Sequence, residues 1–378
     1  MTRSLVSVIG IGIRSCAGLR PSQPAVHPDL MPLPRHRVVA PLTVTLLLIA
    51  SALAAQTNTP APLPEDILVS RLGSTVDSLA RADQFSGVVL LVRNGAPVFQ
   101  RAWGMADREA RRPNDLETAF NLGSINKVFT ATAIRQLAAA GRLDLDSLLG
   151  KYWPDYPNAA VASQVTIRQL LNHRSGIGGN IFDAPPGGTR HDVRHNRDYL
   201  QLFVNEPLQF PPGTQQAYSN AGYVVLGLLV ERLSGEDYYA YVDRHIYQPA
   251  GMTHTAAYPA DSLPPNTAIG YTRGDEDAPP TAPLRRNTDL LPGRGSAAGG
   301  GYSTAGDLER FLQALRDGKI PGGPPAGIGV AGGTVGVNAV VEGGLPGGYD
   351  LIVLTNLDPP AAMRVSRLVR GWLGASDN

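Results

Sequence analysis

The strand-forming segments of this chain lie near the two ends of its body, and helix-forming segments occupy the middle. Near the start, the apolar run 87–92 is followed by Asn94-Gly95 and a second apolar stretch, which is the pattern of a tight hairpin. Near the end, residues 333–341, a Gly/Pro-rich turn and residues 349–355 indicate a second hairpin. Two such hairpins pair most simply in one sheet. The expected fold is therefore α+β, with an antiparallel sheet flanked by helices.

Helical periodicity and capping signals fill the rest of the body. They predict helices over the segments 66–82, 124–140, 166–173, 219–234, 307–315 and 361–373. This order predicts an α/β lobe formed by about 66–135 and 300–375, into which a helical lobe of about 136–299 is inserted. A crevice between two such lobes is a natural place for a substrate.

The leading segment has the composition of a secretory signal peptide. Arg35 and Arg37 precede an apolar run that ends in the small-residue cleavage pattern Ala52-Leu53-Ala54. We therefore expect a signal peptide at 31–55 and export to the periplasm or the exterior, with no stable membrane span after cleavage.

Two neighbouring segments complete this leader. Residues 56–65 are expected to form a Pro-rich linker. Residues 1–30 fit poorly before a signal peptide, which suggests that translation begins at Met31 and that 1–30 is an overrun of the start site.

The charges of the chain are nearly balanced, with 33 basic and 32 acidic residues and a formal net charge of +1. This balance gives no basic surface of the kind that binds nucleic acid. The single cysteine, Cys16, lies in the leader, so the processed body would have neither a disulfide nor a Cys-based metal site. The expected partner is a small-molecule or peptide substrate, and the oligomeric state stays open.

The segment 121–127 contains a candidate nucleophile with a candidate base. Ser124 lies at the start of a predicted helix, and Lys127 follows three residues later on the same face. A serine hydroxyl needs an adjacent base, and an amine serves when burial lowers its pKa. The helix N-terminus also offers free N–H groups to a developing oxyanion. The same residues equally fit a helix-capping serine beside an exposed lysine.

A second candidate group is Tyr218-Ser219-Asn220, directly before another predicted helix. A tyrosine relays a proton when a nearby ammonium stabilises its phenolate. Asn220 is suited to orient a lysine or to bind a substrate amide. A helix cap beside a partly buried tyrosine explains this tripeptide equally well.

The surroundings of these residues resemble a known family. In chain order the resembling stretches are GSINKVFTATAI, VTIRQLLNHRSGIGG, FPPGTQQAYSNAGYVVLGLLVERLSG, IYQPAGMTHT and GGGYSTAGDLERFLQAL. Together they resemble the serine β-lactamase and D-alanyl-D-alanine carboxypeptidase superfamily, especially its class C-like and esterase-like branch, over about 67–375. The resemblance implies one serine hydrolase domain at 66–375.

The resemblance also implies roles for individual residues. Ser124 would be the nucleophile, Lys127 the base, and Tyr218 and Asn220 their partners, in a reaction through an acyl-enzyme without a metal or organic cofactor. The substrate would be a β-lactam, a D-amino-acid peptide, which includes peptidoglycan fragments, or a small ester or amide.

One motif departs from the family pattern. The family usually carries a cation, a small residue and a glycine on an edge strand, and here Val330 takes the cation's place before Gly332. Gly333 is expected to supply a backbone N–H to the oxyanion. Arg294 and Arg316 are the candidates for a replacement cation. The segment 316–333 also looks short, as though one strand and its turn were missing.

Other patterns point elsewhere more weakly. Gly327-x-Gly329-x-x-Gly332 matches the dinucleotide-binding pattern but lacks the preceding strand and the following helix of such a site. The segment 301–305 around Ser303 resembles a nucleophile elbow, but no apolar strand leads into it. His191 and His195 have metal-ligand spacing but no third ligand, which favours a surface loop. His173 is expected to fix a turn. One alternative is a catalytically inactive binding or regulatory protein on the same fold, because the third motif is degraded at Val330 and the segment 316–333 looks short. Another is a truncated or mis-assembled reading frame, in which the missing strand would leave the sheet edge poorly formed.

Overall fold

The computed structural model describes residues 61–274, 279, 281–325 and 327–375. The predicted signal peptide, the possible start-site overrun and Cys16 lie outside these residues. The α-helices of the described part are α1 (Glu65–Arg81), α2 (Asn126–Ala139), α3 (Leu149–Tyr152), α4 (Ala159–Gln164), α5 (Ile167–Leu171), α6 (Asn196–Leu200), α7 (Asn220–Ser234), α8 (Tyr238–Val242), α9 (Gln248–Ala250), α10 (Ala305–Arg316) and α11 (Ala361–Trp372).

The strands are mostly short outside one main sheet. They are β1 (Gly87–Arg93), β2 (Ala96–Trp103), β3 (Met105–Asp107), β4 (Arg112–Pro113), β5 (Phe120–Asn121), β6 (Tyr271–Thr272), β7 (Arg285–Arg286), β8 (Tyr302–Ser303), β9 (Gly329–Thr334), β10 (Val337–Leu345) and β11 (Tyr349–Thr355). Three two-stranded ladders, β3–β4, β5–β8 and β6–β7, lie outside the main sheet.

The main sheet joins strands from both ends of the chain, as the sequence predicts. Its order is β2-β1-β11-β10-β9, and every neighbouring pair is antiparallel. The central pair is β1 with β11, in which Val89 is opposite Val353. The predicted α+β class with an antiparallel sheet is therefore confirmed.

The second hairpin differs from the prediction in one respect. Residues 333–341 are not one strand, because the chain turns at Val335-Gly336 and pairs Thr334 with Val337. Gly336 has φ 69°, a value that glycine adopts without strain. Strand β9 forms the edge of the sheet, and all its residues pair with β10.

The two faces of the sheet pack against different helices. Along β1, Val88 and Leu90 face one apolar cluster, whereas Val89 and Leu91 face the other, as the period of two in a strand requires. Helices α1 and α11 cover the second face. Helices α2 and α10 cover the first, and their cluster continues into the helices of the middle of the chain.

The helix ends follow the local signals of the sequence. Thr166 and Gln169 form the predicted capping box at the start of α5. Ser219 caps α7 by accepting a hydrogen bond from Gly222 N, and Gly235 ends that helix in the left-handed conformation. Thr304 caps α10 in the same way through Asp307 N. Within the described residues, no helix is long and apolar enough to cross a membrane.

Candidate active site

Ser124 is placed by a short 3₁₀ turn, Gly123–Ile125, that joins β5 to α2. Asn121 Oδ1 accepts a hydrogen bond from Gly123 N at 2.9 Å and so tightens the turn. Gly123 has φ 50°, and a Cβ atom there would lie 2.8 Å from the backbone nitrogen of Gly333. Only glycine lets strand β9 approach the serine this closely.

The structure brings together the three residues predicted to carry the chemistry. The hydroxyl oxygens of Ser124 and Tyr218 lie 2.5 Å apart. Lys127 Nζ lies 3.1 Å from Ser124 Oγ and 4.7 Å from the centroid of the Tyr218 ring. Ser124 Oγ thus contacts both candidate proton-transfer groups at once.

Lys127 is buried, with 3% of its surface exposed, and has no carboxylate partner among the described residues. Its amine instead donates to Asn220 Oδ1 at 2.7 Å and to the carbonyl oxygen of Ala298 at 2.5 Å. Burial holds the pKa of Lys127 well below its ordinary value. In the neutral form, two hydrogens serve these two acceptors, and the lone pair faces Ser124 Oγ.

Tyr218 is partly buried beside Ser124. Burial raises the pKa of Tyr218 to about 12, although the hydrogen bond with Ser124 opposes that rise. The tyrosine therefore stays a neutral phenol around neutral pH, while burial favours the neutral amine of Lys127. The same low-dielectric surroundings therefore keep both groups uncharged, so that Lys127 can accept a proton and Tyr218 can donate one.

His173 supports Tyr218 in a way that the sequence did not reveal. As predicted it fixes a turn, with φ 56°, and its Nδ1 accepts a hydrogen bond from Ser219 N at 3.2 Å. Its ring also packs against the Tyr218 ring, with centroids 4.7 Å apart. Burial is the main cause that lowers the pKa of His173 to about 4, and any positive charge on Lys127 lowers it in the same direction.

Strand β9 forms the other side of the site. A Cβ atom at Gly332 would lie 2.0 Å from the carbonyl oxygen of Leu122 and 2.8 Å from Ser124 N, so the backbones are in direct contact. Gly333 lines the same pocket as Ser124. Val330, at the position where the family has a cation, packs against the apolar core instead.

The third wall of the pocket is the segment 294–300, of which the sequence singles out Arg294 and the glycines that open the stretch GGGYSTAGDLERFLQAL. Residues 296–298 are clamped by buried polar side chains, because Thr130 Oγ1 donates to Ala297 O and Asn196 Oδ1 accepts from Ala297 N. This anchoring places Ala298 O against Lys127 Nζ. The run of small residues in this segment was the only sequence signal of such close packing.

The weaker patterns of the sequence lie apart from this site. Arg316 pairs with Glu309 and Asp350 and does not line the pocket. Ser303 is fully buried and hydrogen-bonded to Thr255. No group of three or more His, Cys, Asp or Glu side chains suited to a metal ion occurs in the described part of the chain, which includes His191 and His195.

Comparison with known proteins agrees with this geometry. A family model described as Beta-lactamase matches residues 73–356. The chain belongs to the β-lactamase family. The resemblance seen in the sequence is thereby confirmed.

Relatives in this family carry several names. PbpX of Bacillus subtilis (strain 168), named as a penicillin-binding protein, is 35% identical over 236 residues, which are 62% of this chain and 56% of that protein. The esterase EstB of Burkholderia gladioli is 33% identical over 66% of this chain and 70% of its own length. The crystal structure of a penicillin-binding protein from Bacillus halodurans superposes with a TM-score of 0.68 at 29% identity, covering 79% of this chain and 98% of that one.

We predict that His173 makes folding stability depend on pH. The folded pKa of about 4 lies below the ordinary value of 6.5, so between these values the unfolded chain binds a proton that the folded chain excludes. Stability should fall by about 2 kcal/mol from pH 7 to pH 5 through this group. Asparagine tolerates positive φ and keeps an acceptor for Ser219 N, so His173→Asn should remove that part of the loss.

The measurement is urea denaturation of wild type and His173→Asn at both pH values. His254→Asn, which removes an exposed histidine, is the matched control. An unchanged pH dependence in the His173 variant would contradict the predicted burial of a neutral imidazole.

Proposed function

We propose that this protein is a serine hydrolase that cleaves carboxylic esters or amides through an acyl-enzyme on Ser124. The observation that carries the proposal is the contact of Ser124 Oγ with both Lys127 Nζ, at 3.1 Å, and Tyr218 Oη, at 2.5 Å. A serine that touches a buried amine and a partly buried phenol has the partners that nucleophilic catalysis needs.

In the first step, Ser124 Oγ attacks the substrate carbonyl carbon and its proton passes to the lone pair of Lys127. Asn220 Oδ1 and Ala298 O hold the amine in position for this transfer. Backbone N–H groups of Ser124 and Gly333 stabilise the oxyanion, since both residues line the pocket and strand β9 packs directly on the serine turn.

In the second step, the tetrahedral intermediate collapses and the leaving group takes a proton. Tyr218 is the suited donor, because its neutral hydroxyl lies beside the serine oxygen and Lys127 can replace its proton. Water then attacks the ester formed on Ser124, the carboxylic acid leaves, and the serine recovers its proton by the reverse path.

The substrate is best described as an ester or amide. One relative is named an esterase and others are named for penicillin binding. Val330 removes the cation of strand β9, which argues against a carboxylate held at that strand. The same departure motivates the second candidate, an inactive binding protein on this fold, which the labelling experiment below separates.

We propose further that the protein is exported. The support is the segment 31–55, with its basic start, apolar run and Ala52-Leu53-Ala54 end. A periplasmic or secreted enzyme would meet esters, amides and cell-wall peptides outside the cytoplasm.

Ser124→Ala should lower turnover of para-nitrophenyl esters by about 10³-fold or more, because the nucleophile is lost. Intact-mass spectrometry should show one fluorophosphonate adduct on the wild type, mapped to Ser124, and none on the variant. Ser163→Ala, an exposed serine on α4, is the matched control. A cooperatively folded wild type that accepts neither the fluorophosphonate nor penicillin would favour the inactive alternative.

Tyr218→Phe should lower kcat by about 10²- to 10⁴-fold, because a proton-transfer group is lost. KM should change much less, since the ring and its contact with His173 are retained. Tyr349→Phe, which removes a hydroxyl bonded to Glu65 far from the pocket, is the control. Equal kcat values in the two variants would exclude Tyr218 from proton transfer.

Expression of the full chain in a Gram-negative host should yield a processed protein that begins at Ala55 or Gln56. N-terminal sequencing of the periplasmic or culture fraction measures this. A variant that lacks residues 31–55 should stay in the cytoplasm. Recovery of an unprocessed cytoplasmic protein from the full chain would contradict export.

A further inference from the structure

One buried asparagine lies directly behind the strand that packs on the serine turn. Asn338, on β10, is 1% exposed and is opposite Gly333 in the antiparallel pairing of β9 with β10. Its amide nitrogen Nδ2 donates to the carbonyl oxygen of Gly332 at 3.1 Å. The side chain is therefore bonded to the peptide unit that joins Gly332 to Gly333.

The opposite side of this peptide unit faces the nucleophile. A Cβ atom at Gly123 would lie 2.8 Å from the backbone nitrogen of Gly333, so that nitrogen packs against the serine turn. The unit is a trans peptide, in which the N–H and the carbonyl oxygen point in opposite directions. The bond from Asn338 to Gly332 O therefore directs the N–H of Gly333 away from β10 and toward the pocket that Ser124 and Gly333 line.

The other end of the Asn338 amide is bonded to helix α11. Its Oδ1 accepts hydrogen bonds from Ala362 N at 2.8 Å and from Met363 N at 3.2 Å. The N-cap residue of α11 is Pro360, whose side chain has no hydrogen-bonding atom. Asn338 thus caps this helix from the neighbouring strand, at the end where the helix dipole is positive.

These contacts form one continuous row of hydrogen bonds. It runs from the first N–H groups of α11 through the Asn338 amide to Gly332 O, and the same peptide unit ends in the N–H of Gly333. In such a row each bond polarises the next, so the last N–H becomes a stronger donor. Because the row is buried and fixed at both ends, it is already aligned before charge develops on a substrate.

We propose that Asn338 is a positioning residue of the oxyanion site. It fixes and polarises the Gly332–Gly333 peptide, so that the N–H of Gly333 stabilises the charge that develops on the substrate carbonyl oxygen. This proposal rests on the proposed function at Ser124. It goes beyond the capping of α11, because capping uses only Oδ1, whereas Nδ2 is spent on Gly332 O.

The test compares para-nitrophenyl hexanoate with its thiono analogue, in which sulfur replaces the carbonyl oxygen. Sulfur is the weaker hydrogen-bond acceptor, so an aligned oxyanion donor favours the oxygen ester. The quantity measured is the ratio of kcat/KM for the ester to kcat/KM for the thionoester. In Asn338→Ala this ratio should fall about 10-fold or more, mainly through kcat for the ester, since the contact strengthens only in the transition state.

The matched control is Asn356→Ala, which also removes a buried asparagine beside the main sheet. The amide of Asn356 donates to the carbonyl oxygens of Met105 and Ile269, two residues outside the described lining of the pocket. Its loss should lower the free energy of unfolding and leave the ester-to-thionoester ratio at the wild-type value. An unchanged ratio in Asn338→Ala as well would show that Asn338 only caps α11, and would overturn the proposal.

A second variant, Asn338→Asp, separates capping from positioning. The helix N-terminus and the two N–H groups of α11 favour an ionised carboxylate, which still caps the helix but has no proton to donate to Gly332 O. Urea denaturation should show a stability closer to wild type than that of Asn338→Ala, whereas the ratio should stay low. This variant carries the test if the alanine variant does not unfold cooperatively, and a wild-type ratio in it would then overturn the proposal.

The two proposals fail in different ways. A folded wild type that hydrolyses neither ester nor thionoester would overturn the hydrolase proposal, and the role of Asn338 with it. A wild type that is active, with the same ratio in the Asn338 variants, would overturn the role of Asn338 alone.

Discussion

The burial of the Lys127 amine is the constraint on which the rest of the site depends. An ammonium taken out of water without a carboxylate partner is strongly disfavoured, so its surroundings must satisfy a neutral amine instead. Two carbonyl oxygens, from Asn220 and Ala298, do this. They come from parts of the chain far apart in sequence, and the amine is therefore also the point where α2, α7 and the loop before α10 meet.

Close backbone contact makes this convergence possible. The serine turn lies between strand β9 and the loop 299–301, and neither contact leaves room for a Cβ atom. At Gly332 such an atom would lie 2.0 Å from Leu122 O, and at Gly299 it would lie 2.9 Å from Gly123 O. Asn338 keeps the strand in place, since its amide donates to Gly332 O at 3.1 Å and accepts from Ala362 N at 2.8 Å. Glycine at positions 299 and 332 thus lets the neighbouring backbone approach the turn that carries the nucleophile.

The position where the family has a cation is occupied here by a valine, and the two candidate replacement arginines differ in their surroundings. Val330 turns the cation position of strand β9 into part of the core, and Arg316 is neutralised by Glu309 and Asp350. Arg294 remains without an acidic partner among the described residues and lines the pocket. Strand β9 therefore carries no charged side chain beside the serine turn.

The sequence by itself determined the local features: the helices and their caps, the spacing of Ser124 and Lys127, and the family. These depend on neighbouring residues or on ordered motifs, which a single chain displays directly. Only the tertiary structure decided that the chain turns at Val335-Gly336, that the His173 ring packs on Tyr218, and that Arg294 lines the pocket while Arg316 does not. It also decided the depressed pKa of Lys127, because desolvation depends on what surrounds a group in space, and residue order alone does not contain that information.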